Sequence, residues 1–224
     1  MSEQSTPSVA ISQSTLTSNI IPWAWIKQVK HLVDRPTSPK PVPVEILPWL
    51  YLSDERNVFV TARLRKLGIT HVLAVNSMPD YKVQEYRERF ENAGMTYKHC
   101  PGEDEEDYDM IGLHWEECRH FLQGVRESGG KAIVHCVAGI NRSGLIVTAA
   151  HMVLEGRPLL EVVQHGIQQR GSLLWNRFFQ KQLCMLAAKE GLLGNKPEGQ
   201  TDDPIVSEPL KPPPIRSALD QLAK

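Results

Sequence analysis

The chain has no imbalance of charge, no long apolar run and no cysteine framework, and each absence removes a class of protein. Lysine and arginine number 25 against 26 aspartate and glutamate, a net charge of −1 in 224 residues. No global field therefore points to nucleic acid or to a bilayer surface as a partner. The longest apolar-leaning run, GLIVTAAHMVL, falls well short of the ~20 residues a membrane helix needs. Cys100, Cys118, Cys136 and Cys184 show no paired short spacing. They suggest neither a disulfide framework nor a zinc knuckle, and they fit a reducing compartment. The opening stretch MSEQSTPSVAISQSTLTSN lacks the basic head and apolar centre of a secretory signal. The expected location is cytoplasmic or nuclear.

What is present is one domain's worth of alternating patterns between two low-complexity ends. Residues 1–19 are rich in Ser, Thr and Gln, a composition that predicts disorder. IIPWAWIKQVKHLV (20–33) is apolar enough for a short helix, and DRPTSPKPVP reads as an extended linker. Trp23 and Trp25 are expected to pack on the main domain, with docking of a partner as the alternative. Residues 195–224 read as a proline-rich tail. Neither end carries a motif, so residues 1–43 and 195–224 are expected to be dispensable for chemistry, with the domain at 44–194.

Within that domain VEILPWLYL (44–52) reads as a strand, NVFVTARLRKLG (57–68) as a helix and THVLAVN (70–76) as a strand. YKVQEYRERFENAG (81–94) reads as a helix and MTYKHC (95–100) as a strand. An acidic loop, a helix over 111–127, the strand KAIVHC and three further helices complete the series. Ile111, Trp115, Cys118, Leu122 and Val125 recur at spacings of three and four, one buried helix face. Cys118 is thereby core, which excludes a metal reading of His114, Cys118 and His120. The interleaving predicts an α/β fold with a largely parallel central sheet of about five strands flanked by helices. Ligands in such sheets sit beyond the carboxyl ends of the strands.

At one such end stands KAIVHCVAGINRSGLIVTAA (131–150): a strand, a tight loop and a helix start. Successive backbone N–H groups feeding a helix N-terminus form an anion site, because unsatisfied donors and macrodipole point the same way. Gly139 permits the turn that aims the donors of Val137, Ala138, Gly139, Ile140 and Asn141 inward. Cys136, at the head of the loop, lies in the field that activates a thiol as nucleophile. Arg142 offers a planar fork matched to two phosphate oxygens, and Ser143 a hydroxyl for the sulfur. His135 is expected to orient the loop through backbone contacts rather than to act as a base. The cradle is built for a phosphate with a nucleophile beneath it.

The arrangement is His-Cys-x-x-Gly-x-x-Arg-Ser, and over roughly 44–191 the chain resembles the dual-specificity subgroup of the cysteine-based protein-tyrosine phosphatases. ILPWLYLSDERN resembles the family's opening strand, GITHVLAVN its second, and RGSLLWNRFFQKQL its late helix, entered through Asn176. Ser53, Ala74 and Gly144 depart from the residues usual there; an Arg-Ser-Gly ending is nearer the tyrosine-specific, lipid and RNA-triphosphatase branches. The other His-Cys pair, His99-Cys100, has Glu106 rather than arginine six residues after the cysteine and is expected to be core.

The resemblance implies two-step displacement with no metal or cofactor. Cys136 attacks phosphorus, Arg142 and the loop bind the equatorial oxygens, and an aspartic acid protonates the leaving group. The family's acid opens the loop PGEDEEDYD (101–109), which matches Asp104, 32 residues ahead of Cys136, with Asp107 as runner-up. Met78-Pro79-Asp80 echoes the acid motif of larger tyrosine phosphatases but lies in the wrong connection. Arg170 resembles a position at the pocket rim that can bind a second anionic group, or is a helix-end arginine meeting the dipole. The partner implied is a phosphoprotein substrate, with docking through either tail and a monomeric state. Two alternatives stay open: a phosphatase for phosphoinositide, glucan or RNA 5′-triphosphate, and a phosphoprotein-binding scaffold. Also open is whether Cys100 reaches Cys136 to protect it as a disulfide, as second cysteines do in some relatives.

Overall fold

A computed structural model of the chain describes residues 21–204. The expectations placed on residues 1–20 and 205–224 lie outside the described residues.

Five strands form one sheet in the order β1-β2-β5-β3-β4. They are β1 (Val44–Leu47), β2 (Leu50–Asp54), β3 (His71–Ala74), β4 (Thr96–His99) and β5 (Ala132–Cys136). All neighbours are parallel except β1, which pairs antiparallel with β2. The single strand expected over 44–52 is thus a hairpin, with Leu47 opposite Leu50. Its break falls at Pro48, which has no N–H to give a ladder. The helix expected over 57–68 is likewise two short ones, α2 (Glu55–Val58) and α3 (Thr61–Lys66). The Asp54 carboxylate caps the first by accepting from Asn57 N at 2.6 Å.

Side-chain alternation splits the core into two layers. Tyr51, Val72, Ala74, Tyr97 and Ile133 face one way and pack with Leu64, Tyr86 and Phe90 of α3 and α4 (Asp80–Asn92). Leu50, Leu52, Leu73, Val134 and Cys136 face the other way. That side is covered by α1 (Trp23–Val33), α5 (Met110–Glu127), α6 (Arg142–Leu154), α7 (Leu159–Arg170) and α8 (Arg177–Lys189). In α6, residues 143–152 are all buried, so this helix is apolar all round and sits in the middle of its layer. Among the described residues no helix is long and apolar enough to cross a membrane.

The segment read as linker with a short helix belongs to the compact body. α1 buries Ala24, Ile26, Val29, Leu32 and Val33. Trp23 and Trp25 pack half-buried on the same core, and Trp25 Nε1 donates to Leu193 O at 2.9 Å. The body therefore starts before residue 44. Past residue 194, Lys27 Nζ donates to Thr201 Oγ1 at 2.9 Å at the surface.

Candidate active site

The central strand β5 carries the site. Its five residues are all buried, and it pairs on both sides, with Ser53 and Ala74 opposite His135. Beyond Cys136 the chain turns through 137–141 into α6, whose first residue is Arg142. Gly139 takes φ +64°, and a Cβ there would lie 2.7 Å from Ser53 O. Backbone handedness and the closeness of β2 both demand glycine. Ser53, where the family resemblance departs from glycine, is itself fully buried against this turn.

Ser143 Oγ donates to Cys136 Sγ at 3.1 Å. Arg142 Nη1 donates to Gly102 O at 3.1 Å, while its Nε is buried with no protein partner. The guanidinium is thus anchored at one edge with a donor left over, as an oxyanion-binding fork requires. Asp104 is joined to the cradle by two amides. Asn141 Nδ2 donates to Asp104 Oδ2 at 3.1 Å and Asn176 Nδ2 to Asp104 Oδ1 at 3.2 Å. The other two aspartates of the loop are elsewhere: Asp109 caps α5 by accepting from Gly112 N at 2.9 Å, and Asp107 is exposed. Asn176 caps α8 through Phe178 N and Phe179 N, and its own N–H donates to Asn141 Oδ1 at 3.0 Å.

His135 is fully buried with neither ring nitrogen hydrogen-bonded, and burial pushes its pKa down to about 4. It is neutral at pH 7, and its backbone carbonyl accepts from Val75 N at 2.9 Å, a bond to the residue that follows β3 rather than to the loop. Arg170 is not at a rim. It is 7% exposed and donates to Gly139 O (3.2 Å), Ala138 O (3.4 Å) and Lys40 O (2.8 Å). A guanidinium committed to three carbonyls beneath the loop does not face a second anionic group of a substrate. Val137 (52% exposed) and Trp175 (42%) are the large apolar side chains that face solvent on the two segments framing the cradle.

Sequence reasoning passed over Gly102 and Leu174. Gly102 O serves both Arg142 and Ser77 N. Leu174 N donates to Ile140 O at 3.1 Å from a left-handed backbone, φ +57°, a conformation that costs a leucine about 1–2 kcal/mol. Nothing local in GSLLWN marks that residue. The departure at Gly144 has a packing cause: Leu173 Cδ1 lies 2.8 Å from where its Cβ would be.

One further group of ligating side chains occurs among the described residues: Cys100, His114 and Glu117, their donor atoms within 4.8 Å of one another. Glu117 is paired with Lys98 and His114 with the Tyr108 hydroxyl, so both are already satisfied. His120 is exposed and does not join them. Cys100 follows β4 and Cys136 ends β5, each one residue beyond the histidine that pairs with Ala74 of the intervening β3. Two strand spacings of ~4.8 Å separate them, beyond the ~7 Å Cα limit for a disulfide.

A family model described as the catalytic domain of dual specificity phosphatases matches residues 50–189. Dual specificity protein phosphatase 26 of Homo sapiens is 32% identical over 143 residues, 63% of this chain and 65% of that protein. Dual specificity protein phosphatase 5 of Homo sapiens is 34% identical over 157 residues, 70% of this chain and 38% of that protein. The matches thus span less than two thirds of these relatives' lengths. The crystal structure of DUSP15 superposes with a TM-score of 0.56 at 29% identity, covering 66% of this chain and 90% of that one. The cysteine, the arginine and the loop between them all fall inside the matched span, and the chain belongs to the dual specificity phosphatase family.

Proposed function

We propose that this chain is a protein phosphatase that hydrolyses phosphotyrosine and phosphoserine or phosphothreonine through a phosphocysteine intermediate. The observation that carries the reading is the cradle with its sulfur steadied by Ser143 and, at the loop's far end, an Arg142 whose buried Nε has no protein partner. Cys136 Sγ attacks phosphorus as the bond to the leaving oxygen breaks. The charge on the equatorial oxygens is met by Arg142 and by the N–H groups of 137–141, donors fixed before the reaction begins. Asp104, held over the loop by Asn141 and Asn176, gives its proton to the leaving alkoxide or phenoxide. It then takes a proton from the water that attacks phosphocysteine, releasing phosphate and the thiolate.

Protein substrates are favoured over densely anionic ones by charge. Glu103, Asp104, Glu105, Glu106 and Asp107 are all exposed beside the cradle, and Val137, Ala138, Ile140 and Asn141 add no cation within it. A phosphoinositide or a 5′-triphosphate would meet that acidic wall with its extra phosphates. The test is a panel of initial rates with the full chain on phosphotyrosyl and phosphothreonyl peptides, phosphoinositides and RNA 5′-triphosphate. The peptides are expected to lead. A lead for either of the other two classes overturns the substrate assignment.

A further inference from the structure

A loop of five residues presents its N–H groups inward only if something outside holds its carbonyls outward, because N–H and C=O point opposite ways across a trans peptide. Arg170 holds Ala138 O and Gly139 O, and Leu174 N holds Ile140 O. These three bonds aim the N–H groups of Gly139, Ile140 and Asn141 in the opposite direction, toward the cradle. The segment 170–176 is therefore a backing plate for the loop.

That plate is in turn gripped by residues 34–40, which lie before the matched family span. Lys40 N donates to Arg170 O at 2.8 Å, and Lys40 O accepts from Arg170 Nη1 at 2.8 Å. Thr37 Oγ1 donates to Gly171 O at 2.8 Å, Lys40 Nζ reaches Gln168 O at 2.5 Å, and Asp34 pairs with Arg177. Gly171 has φ +84°, and a Cβ on it would lie 2.2 Å from Ser38 O, so the strap sits where only glycine admits it. Residues 34–41 are exposed. Their bonds are spent on the segment behind the loop rather than on filling a core.

We infer that residues 34–40 are a positioning strap for the phosphate loop. Through Arg170 they set the direction of the loop amides, and with it oxyanion affinity and turnover. The inference rests on the phosphatase reading above and extends it to a segment whose composition reads as linker.

Deleting residues 1–41 would also strip the buried side chains of α1, so the test uses point variants of the full chain. Asp34→Asn, Thr37→Val and Lys40→Pro together remove the Asp34 pairs with Arg177 and Lys30, the hydroxyl donor, and the N–H and Nζ donors of Lys40. The measurements are kcat/KM on a small aryl phosphate, the inhibition constant for vanadate and the melting temperature. We expect a fall in kcat/KM of ~10-fold and a matching rise in the vanadate constant, since small misplacements of fixed donors are expensive in rate. The melting temperature should move by only a few degrees. Arg170→Lys keeps the charge but not the fork, and in that background the strap substitutions should change both constants by less than about twofold. Constants unchanged in the strap variant, or a full tenfold effect persisting beside Arg170→Lys, would overturn the inference. A parent chain that turned over no aryl phosphate would instead overturn the phosphatase reading, and vanadate affinity would still decide the strap.

Discussion

Two strands of the sheet end in the same dipeptide, and only one end is built for chemistry. His135-Cys136 closes β5 and His99-Cys100 spans the end of β4, both at the carboxyl ends of parallel strands and with β3 between them. Cys136 is followed by a glycine turn and a helix that brings Ser143 Oγ to 3.1 Å from its sulfur. Cys100 is followed by an acidic loop, and its sulfur lies 3.8 Å from Glu117 Oε2. Negative charge developing on sulfur meets donors in the first case and a carboxylate in the second. The histidines differ as well: His99 Nε2 is 2.8 Å from Asn76 O, whereas His135 has no partner for either nitrogen. A nucleophile is thus made by what surrounds a sulfur, and the dipeptide alone says little.

The sharpest way to break this contrast is to exchange the two sulfurs for oxygen one at a time. Cys136→Ser should lower turnover by ~10⁴-fold or more, the scale at which removal of a covalent nucleophile is felt. Vanadate-like oxyanion binding should persist. Equal losses from Cys136→Ser and Cys100→Ser would erase the distinction.

The next largest effect concerns the acidic loop, which leaves the Cys100 end and reaches across to the Cys136 cradle. Asp104→Asn should cost ~10²–10⁴ in rate on phosphotyrosyl and phosphothreonyl peptides yet hardly change an aryl phosphate whose phenol is already acidic. It should also remove the alkaline limb of the kcat/KM profile, which reports an acid that must stay protonated. Asp107→Asn should do neither. If the two variants swap behaviour, Asp107 is the acid.

The histidines sharpen the comparison through stability. Burial holds His135 near pKa about 4 in the folded chain, below the ~6.5 of an unfolded histidine. Between these values the unfolded state binds more protons, so the contribution is complete above pH ~6.5 and is lost as pH falls toward 4. From pH 7 to pH 5 the loss from His135 is on the order of 2 kcal/mol. His151, also lowered to about 4 by burial, acts with the same sign. Urea midpoints at the two pH values should therefore separate less in His135→Phe than in the parent. An equal separation in the two chains would mean that His135 is not held neutral.

The smallest effect closes the set. Cys100→Ser should leave kcat/KM on an aryl phosphate within a few-fold of the parent, any deficit appearing in stability, because the position is fully buried and a hydroxyl there is costly unless hydrogen-bonded. A large rate loss at unchanged stability would give Cys100 a part in the chemistry.

These contrasts show which parts of the molecule local sequence can carry. The strand, loop and helix of 131–150 were legible because each step has a short-range signal: an apolar run, a glycine, then an apolar helix. The same holds for the α/β alternation and the buried face of α5. The hairpin at Pro48 was hidden because both of its arms are apolar and share one run. Arg170 ends α7 as one of its two readings had it, but the end of a helix does not say what packs beneath it. The segment DRPTSPKPVP carries linker composition, and its bonds from Lys40, Thr37 and Asp34 to the 168–177 segment span more than a hundred positions. Gly144 read as a sign of substrate class, while the space it leaves is filled by Leu173. Interactions over such separations leave no periodicity to read.

The sheet order has one more consequence, at its two margins. β1 and β4 each pair on one side only among the described residues, and an unpaired strand edge is a template for another chain. Both are four residues long. β1 is interrupted by a register irregularity between Glu45 and Leu47, and β4 carries Lys98, committed to Glu117. Short, bent or charged edges present no flat ladder on which a second copy could extend the sheet. The strand bearing the nucleophile lies between paired neighbours, sheltered from edge-to-edge aggregation.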